Sequence, residues 1–330
     1  MKPTRGTFLA GAAGVAAVAA APSIAIAAED AMRATRGLTL TTLRTAGHDH
    51  LGIRTPRGIV DVAAAGRALG VADLPRTCDD VFAGRGDAAA LRRIASAAPA
   101  SAIVAESAAE YGPLVSSPPK IICVGLNYRA HIAEAGEKTP QYPDLFNKYN
   151  TTLNRHGGVV RVSHLPLSQF DYESELVIIM GKTARDVSQA QALEYVWGYA
   201  AGHDFSARDA QMRVSQWMTG KTPDEFAPIG PWAVSADQIP DPQTLQIRTF
   251  VNDETEPRQN MNTAQMIFDC ANIVSYTSQF ITLQPGDIIF TGTPSGVILG
   301  YPPDKRVWLK PGDRIRTVID KVGELRFTLA

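Results

Sequence analysis

The chain has 330 residues, 45% of them hydrophobic and 20% charged, with a formal net charge of −1. That length and composition imply a packed core, in one large domain or in a small and a large one, and exclude a disordered chain. The near-neutral balance, with no basic patch, argues against nucleic acid or an anionic membrane as partner. The three scattered cysteines, Cys78, Cys123 and Cys270, have neither metal-ligand spacing nor the even number of a disulfide framework.

Lys2 and Arg5 give a positive start, and an Ala-rich apolar run over residues 8–21 leads to Ala25-Ile26-Ala27. This order predicts a cleaved export signal over residues 1–27. Its apolar part is too short to span a bilayer comfortably. Thr4-Arg5-Gly6-Thr7-Phe8-Leu9 resembles the twin-arginine export motif, with Gly6 where the second arginine belongs. The expectation is an exported, periplasmic bacterial protein with no membrane segment once the signal is removed.

Residues 38–43 and 51–55 read as strands around the turn-prone Ala46-Gly-His-Asp49, and residues 88–98 as a helix. Residues 38–112 gather no titratable side chains at a catalytic spacing, so they are expected to form a small N-terminal α/β domain. Pro113-Leu-Val-Ser-Ser-Pro-Pro-Lys120 has the composition of a linker, and residues 121–330 follow as the larger domain. Within it, residues 171–180 and 245–251 read as strands, and residues 189–195 and 263–279 as helices. Leu283-Gln-Pro-Gly-Asp287 and Leu309-Lys-Pro-Gly-Asp313 share a device. Proline fixes φ at the first central position and glycine supplies positive φ at the next, predicting type II turns. The fold class expected is α+β and β-rich.

Asp171-Tyr-Glu-Ser-Glu-Leu-Val-Ile-Ile-Met180 is the first chemical signal. Residues two apart in a strand face one side, so Glu173 and Glu175 project together, with Asp171 in line. The apolar run after them predicts a buried strand. Carboxylates aligned there repel one another and lose hydration, and a divalent cation relieves both costs. All-oxygen ligation favours magnesium, manganese or calcium over zinc. A solvated acidic strand end is the competing reading. A third carboxylate, Asp204, lies in Gly202-His-Asp-Phe-Ser-Ala-Arg-Asp-Ala-Gln211.

With that segment in view, residues 121–330 resemble the fumarylacetoacetate hydrolase family. The resemblance rests on those two motifs together with Cys123-Val-Gly-Leu-Asn-Tyr-Arg-Ala-His131, Leu145-Phe-Asn-Lys148, Phe226-Ala-Pro-Ile-Gly-Pro231 and Thr291-Gly-Thr-Pro-Ser-Gly296. It implies a mixed β-roll or sandwich assembled as a homodimer. It implies Glu173, Glu175 and Asp204 as metal ligands, with Gln211, Lys221 and Thr293 lining the substrate site. Three residues apart on a helix, His131 and Glu134 share a face. Glu134 can then hold one imidazole nitrogen while the other points at substrate, the pairing that activates a water. By itself such a pair is more often a surface contact; the resemblance places it on a lid over residues 131–143, polar and rich in Gly and Pro. The Lys221 ammonium becomes a candidate for stabilising a developing enolate or carboxylate. Thr293 is expected to offer its hydroxyl and nearby backbone donors to a substrate carboxylate, and Arg208 to brace the acidic cluster.

Three positions depart from the family pattern. His203 stands where asparagine is usual, either an extra ligand or a hydrogen-bonding support. Tyr149 replaces a proline, and Val160-Arg-Val-Ser163 is an unusual approach to the Glu-x-Glu strand. The function implied is magnesium- or manganese-dependent hydrolysis of a C–C bond in 2,4-dioxo acids (acylpyruvates), with small 2-oxo acids as the substrate class. Decarboxylation or isomerisation of hydroxy-diene dioates or oxaloacetate uses the same enolate without water. An exported binding protein without catalysis is the reading from another class, and it gives His131 and Glu134 no task.

Overall fold

The computed structural model describes residues 20–330, with side chains from Ile26 onward. Most of the expected export signal therefore lies outside the described residues. A helix, Ala20–Ala34, runs through Ala25-Ile26-Ala27 and buries Ala28 and Ala31. Just past its end, the Thr35 hydroxyl accepts a hydrogen bond from the Trp197 indole at 3.0 Å.

Ten strands form the main sheet, and the first four in the chain make up one end of it. The order is Ile103–Val104, Gly58–Asp61, His48–Thr55, Thr39–Thr45, Ala233–Ser235, Val196–His203, Ser174–Met180, Ile288–Phe290, Ile121–Gly125 and Asp144–Lys148. Pairing of Thr39 with Val234 and Leu40 with Ala233 joins the N-terminal strands directly to those that follow the linker. The hairpin at Ala46-Gly47 has positive φ at both residues (50° and 81°) and pairs Thr45 with His48. Such a turn matches the twist of its strands, so the second strand begins at His48 rather than at residue 51. A five-stranded sheet packs beside the first, in the order Gln259–Asn262, Gln246–Val251, Arg314–Ile319, Gly323–Leu329 and Gly158–Val160. The α+β, β-rich architecture is as expected. Among the described residues no helix is long and apolar enough to cross a membrane.

Ser174–Met180 is buried at every position, with Leu176, Ile178 and Met180 in one core cluster and Val177 and Ile179 in another. A strand buried on both faces reads as a continuous apolar run, as this one does. It starts later than expected, however. Phe170–Asp171 is a separate short strand paired with Ser206–Ala207, and the chain leaves the ladder at Tyr172 and Glu173. The helix expected over residues 263–279 is also shorter, Cys270–Phe280. Asp269 caps it by accepting from the Asn272 N–H at 2.6 Å, whereas Thr263–Gln265 is a separate 3₁₀ turn. Likewise only Ala192–Tyr195 of residues 189–195 is helical, as 3₁₀. Both Pro-Gly turns form as predicted. Gly286 and Gly312 have φ of 86° and 94°, and the N–H of Asp287 and of Asp313 closes each turn onto Gln284 and Lys310.

Candidate active site

Glu175 enters the site from the central strand, opposite Gly202 in the neighbouring strand, and Glu173 from the loop just before it. Asp204 follows directly on Val196–His203, its N–H donating to the Glu173 carbonyl at 3.0 Å. Each of the three carboxylates offers an oxygen within 4.8 Å of the others, and all three side chains are buried. Asp171 does not join them. It accepts from the backbone N–H groups of Ile298 and Leu299, each at 2.9 Å, and from Arg208 Nε at 3.0 Å. The break in the strand at Tyr172 turns Asp171 out of line and into an anchor for the 298–299 backbone.

Two lysines and an arginine meet this acidic group. Lys221 Nζ lies 2.7 Å from both Glu173 and Asp204, Lys148 Nζ lies 2.5 Å from the other Asp204 oxygen, and Arg208 Nη2 lies 2.7 Å from Glu173. Burial alone would raise the Glu173 pKa, but Lys221 and Arg208 outweigh it and hold the carboxyl below the usual range. Glu175 has no such cation. Burial, Asp204 and Glu173 all push its pKa well up, opposed mainly by a 2.6 Å hydrogen bond from the Gly292 N–H. A buried, like-charged carboxylate in that position needs either a proton or a cation. The site therefore has the donor set and the unmet negative charge that suit a divalent cation held by oxygen.

His131 is on the helix Arg129–Ala135, which ends at Gly136 in the left-handed conformation. Its Nδ1 is 2.8 Å from Glu134 Oε1. The Gly296 N–H donates to the same carboxylate, at 2.9 Å to Oε2. The Thr291-Gly-Thr-Pro-Ser-Gly296 segment thus holds two site carboxylates by backbone donors, Gly292 on Glu175 and Gly296 on Glu134. Both glycines have positive φ (97° and 102°), and a Cβ would lie 2.6 Å from Asn127 Cβ or 2.0 Å from the Arg258 carbonyl. Only glycine permits those approaches.

A cavity of about 140 Å³ collects all eight side chains that the sequence singled out. That is well below the roughly 300–1,000 Å³ of pockets for drug-sized ligands, so a small acid is the fitting occupant. Its remaining wall is largely apolar, with Val124, Leu126, Phe146, Met212, Trp217 and Leu299. Gln211 lines it while accepting from Arg208 Nη1 at 2.9 Å. The Thr293 hydroxyl donates to the Ser174 carbonyl at 3.0 Å and accepts from Gln259 at 2.8 Å. It has no proton left for a substrate carboxylate, so the hydroxyl supports the strand carrying the glutamates.

In the sequence Lys148 is simply the last residue of Leu145-Phe-Asn-Lys148. Its contact with Asp204 spans 56 positions of the chain, and no local pattern announces it. His203 is settled by geometry. Its Nε2 lies 2.5 Å from the Thr317 hydroxyl and 3.1 Å from that of Ser174. Its Nδ1 is buried without a partner among the described residues, and burial pushes the imidazole pKa down to about 3. It is a neutral support, outside the carboxylate cluster. His203→Leu should leave those hydroxyls short of one partner and cost about 1–3 kcal/mol, and His203→Asn less. Urea unfolding checks this; equal midpoints for wild type and the Leu variant would remove the support role.

Residues 120–330 match the family model described as fumarylacetoacetate (FAA) hydrolase C-terminal. The chain belongs to the fumarylacetoacetate hydrolase family. Members of this family are enzymes, hydrolases and isomerases among them. The mitochondrial oxaloacetate tautomerase fahd2 of Xenopus laevis is 40% identical over 214 residues, 64% of this chain and 65% of that protein. The fumarylacetoacetate hydrolase of Exiguobacterium antarcticum is 29% identical at a TM-score of 0.73, over 89% of this chain and 99% of that one. Fumarylpyruvate hydrolase of Pseudomonas aeruginosa, solved with Mn²⁺ and pyruvate, is 35% identical at a TM-score of 0.58. That match covers 64% of this chain and 89% of the hydrolase.

Proposed function

We propose that this enzyme hydrolyses a C–C bond in small 2,4-dioxo acids, releasing pyruvate or a substituted pyruvate and a carboxylic acid. The observation that carries the reading is the His131–Glu134 contact of 2.8 Å on the wall of the cavity that also holds the carboxylate triad. Glu173, Glu175 and Asp204 would hold Mg²⁺ or Mn²⁺, with Ca²⁺ also suited to the oxygen ligands. When bound, the cation supplies Lewis acidity toward the 1-carboxylate and 2-oxo oxygens of the substrate.

The rest falls to the chain. An ionised Glu134 makes Nδ1 of His131 the donor and leaves Nε2 as the free base. His131 takes a proton from water as its oxygen attacks the 4-oxo carbon. The C3–C4 bond then breaks, its electron pair passes to C3, and a proton delivered there completes the pyruvate. Lys148 pairs with Asp204, Lys221 bridges Asp204 and Glu173, and Arg208 positions Glu173 and Gln211. A catalytically inactive binder would have no use for an oriented base.

Purified protein loaded with Mg²⁺ or Mn²⁺ should hydrolyse acylpyruvates with the release of pyruvate and acid. If it instead only interconverts tautomers of oxaloacetate, as named for the Xenopus relative, or rearranges or decarboxylates hydroxy-diene dioates, the hydrolytic reading fails. The same proposal carries an exported location and a homodimer. Cell fractionation and sedimentation velocity check them; an uncleaved cytoplasmic protein or a monomer would count against each in turn.

A further inference from the structure

We propose that Arg306 is a specificity residue for a second, distal carboxylate, so that the preferred substrates are dianionic 2-oxo acids. The inference rests on the 2-oxo acid reading above and adds what the far end of the substrate must be.

The cations around this cavity are mostly spent on protein carboxylates. Lys221 is committed to Glu173 and Asp204, Arg208 to Asp171 and Glu173, and His131 to Glu134. Arg306 lines the same cavity, and its Nε donates to the Tyr301 carbonyl at 2.8 Å. Among the described residues its two terminal nitrogens have no protein acceptor within hydrogen-bond distance, and no carboxylate lies within 4.0 Å. A half-buried guanidinium fixed by Nε, with its fork end free, is the geometry that binds a carboxylate through two parallel hydrogen bonds.

The segment that carries Arg306 is held in place. Asp171 ties down the backbone at Ile298 and Leu299, and Gly300 abuts Glu134 so closely that a Cβ would lie 2.4 Å from its carboxyl carbon. A 3₁₀ turn, Pro303–Lys305, then leads directly into Arg306. The same cavity takes apolar wall from Phe146, Trp217, Met212 and Leu299. That combination of linings suits a molecule that carries a chelating group, a hydrocarbon portion and a second anionic group. Glu137 also lines the cavity, but it is exposed and makes no ion pair with Arg306.

The test uses 2-oxo acids that lack a 4-oxo group and so cannot be cleaved. Calorimetry on Mn²⁺-loaded protein compares 2-oxoadipate with 2-oxohexanoate, and 2-oxoglutarate with 2-oxopentanoate, pairs that differ only in the distal carboxylate. Wild type should bind at least one dianion roughly 10–100-fold tighter than its monoanionic partner, the range for a charge-assisted pair. Arg306→Gln should bring that ratio near one without weakening the monoanion, and Arg306→Lys should restore part of it. Equal affinities within both pairs in wild type overturn the proposal while leaving the 2-oxo acid reading intact. Binding of neither ligand type overturns that reading, and the proposal falls with it. Equal loss of affinity for both ligand types in Arg306→Gln, reproduced by Glu137→Gln, would make the arginine a latch between cavity walls and overturn its role toward the ligand.

Discussion

His131→Ala should lower kcat by roughly 10²–10⁴-fold, the loss typical of a missing general base, while metal affinity and oxalate binding stay near wild type. The separation follows from the geometry. His131 touches Glu134, not the carboxylate triad, and it sits on a helix of its own. Oxalate resembles the chelating end of a pyruvate enolate, so its inhibition constant reports on the metal end of the site without the base. Glu134→Gln should be milder. The amide oxygen can still accept from Nδ1, but the amide nitrogen then faces the Gly296 N–H, which now donates to the carboxylate at 2.9 Å. Only the longer Gly296 contact, at 3.1 Å to the Oε1 position, can then be kept, and the charge that orients the ring is gone. If the pair acts as one unit, the double variant should be little worse than His131→Ala alone. Single-turnover rates and oxalate inhibition constants for the four proteins decide the matter. Full hydrolysis by His131→Ala would move the assignment to chemistry that needs no activated water.

Glu175→Gln should weaken Mg²⁺ or Mn²⁺ binding by more than the roughly 10–100-fold that loss of a supporting outer partner costs. It should at the same time leave the metal-free protein more stable. Both effects come from one fact: Glu175 is the carboxylate of the three with no ammonium or guanidinium contact, buried against Asp204 and Glu173. Neutralising it removes the cost of either protonating Glu175 or burying it as a like charge in the metal-free protein, and removes a ligand in the loaded one. The Gly292 N–H can still donate to a glutamine oxygen, so the fold has no reason to give way. Calorimetric titration and thermal unfolding with and without manganese measure both. Wild type should gain stability with added metal through preferential binding to the folded state, and the variant should gain little. An unchanged affinity would show that the cation is held elsewhere.

The sequence by itself determined the ingredients. The resemblance to the family picked out the residues that line the cavity, while local pattern marked the two Pro-Gly turns, the buried run after Glu175 and the fold class. These features are local: a turn needs only its φ values, a buried strand only an apolar run, and a motif only its own order. Tertiary structure decided what those residues touch. Asp171 was in line with Glu173 and Glu175 by strand period, yet the break at Tyr172 sends it to the 298–299 backbone and Arg208. Thr293 looked like a substrate donor, yet Ser174 and Gln259 use its hydroxyl. The helix expected over residues 263–279 begins at Cys270 because Asp269 caps that later start. Lys148 and the free fork of Arg306 were invisible, since a charge's partner is fixed by which strands and loops meet across the sheet. Whether a cation is spent on a neighbour or left for a ligand depends on distances of a few ångströms between segments far apart in the chain, and no local pattern carries that information.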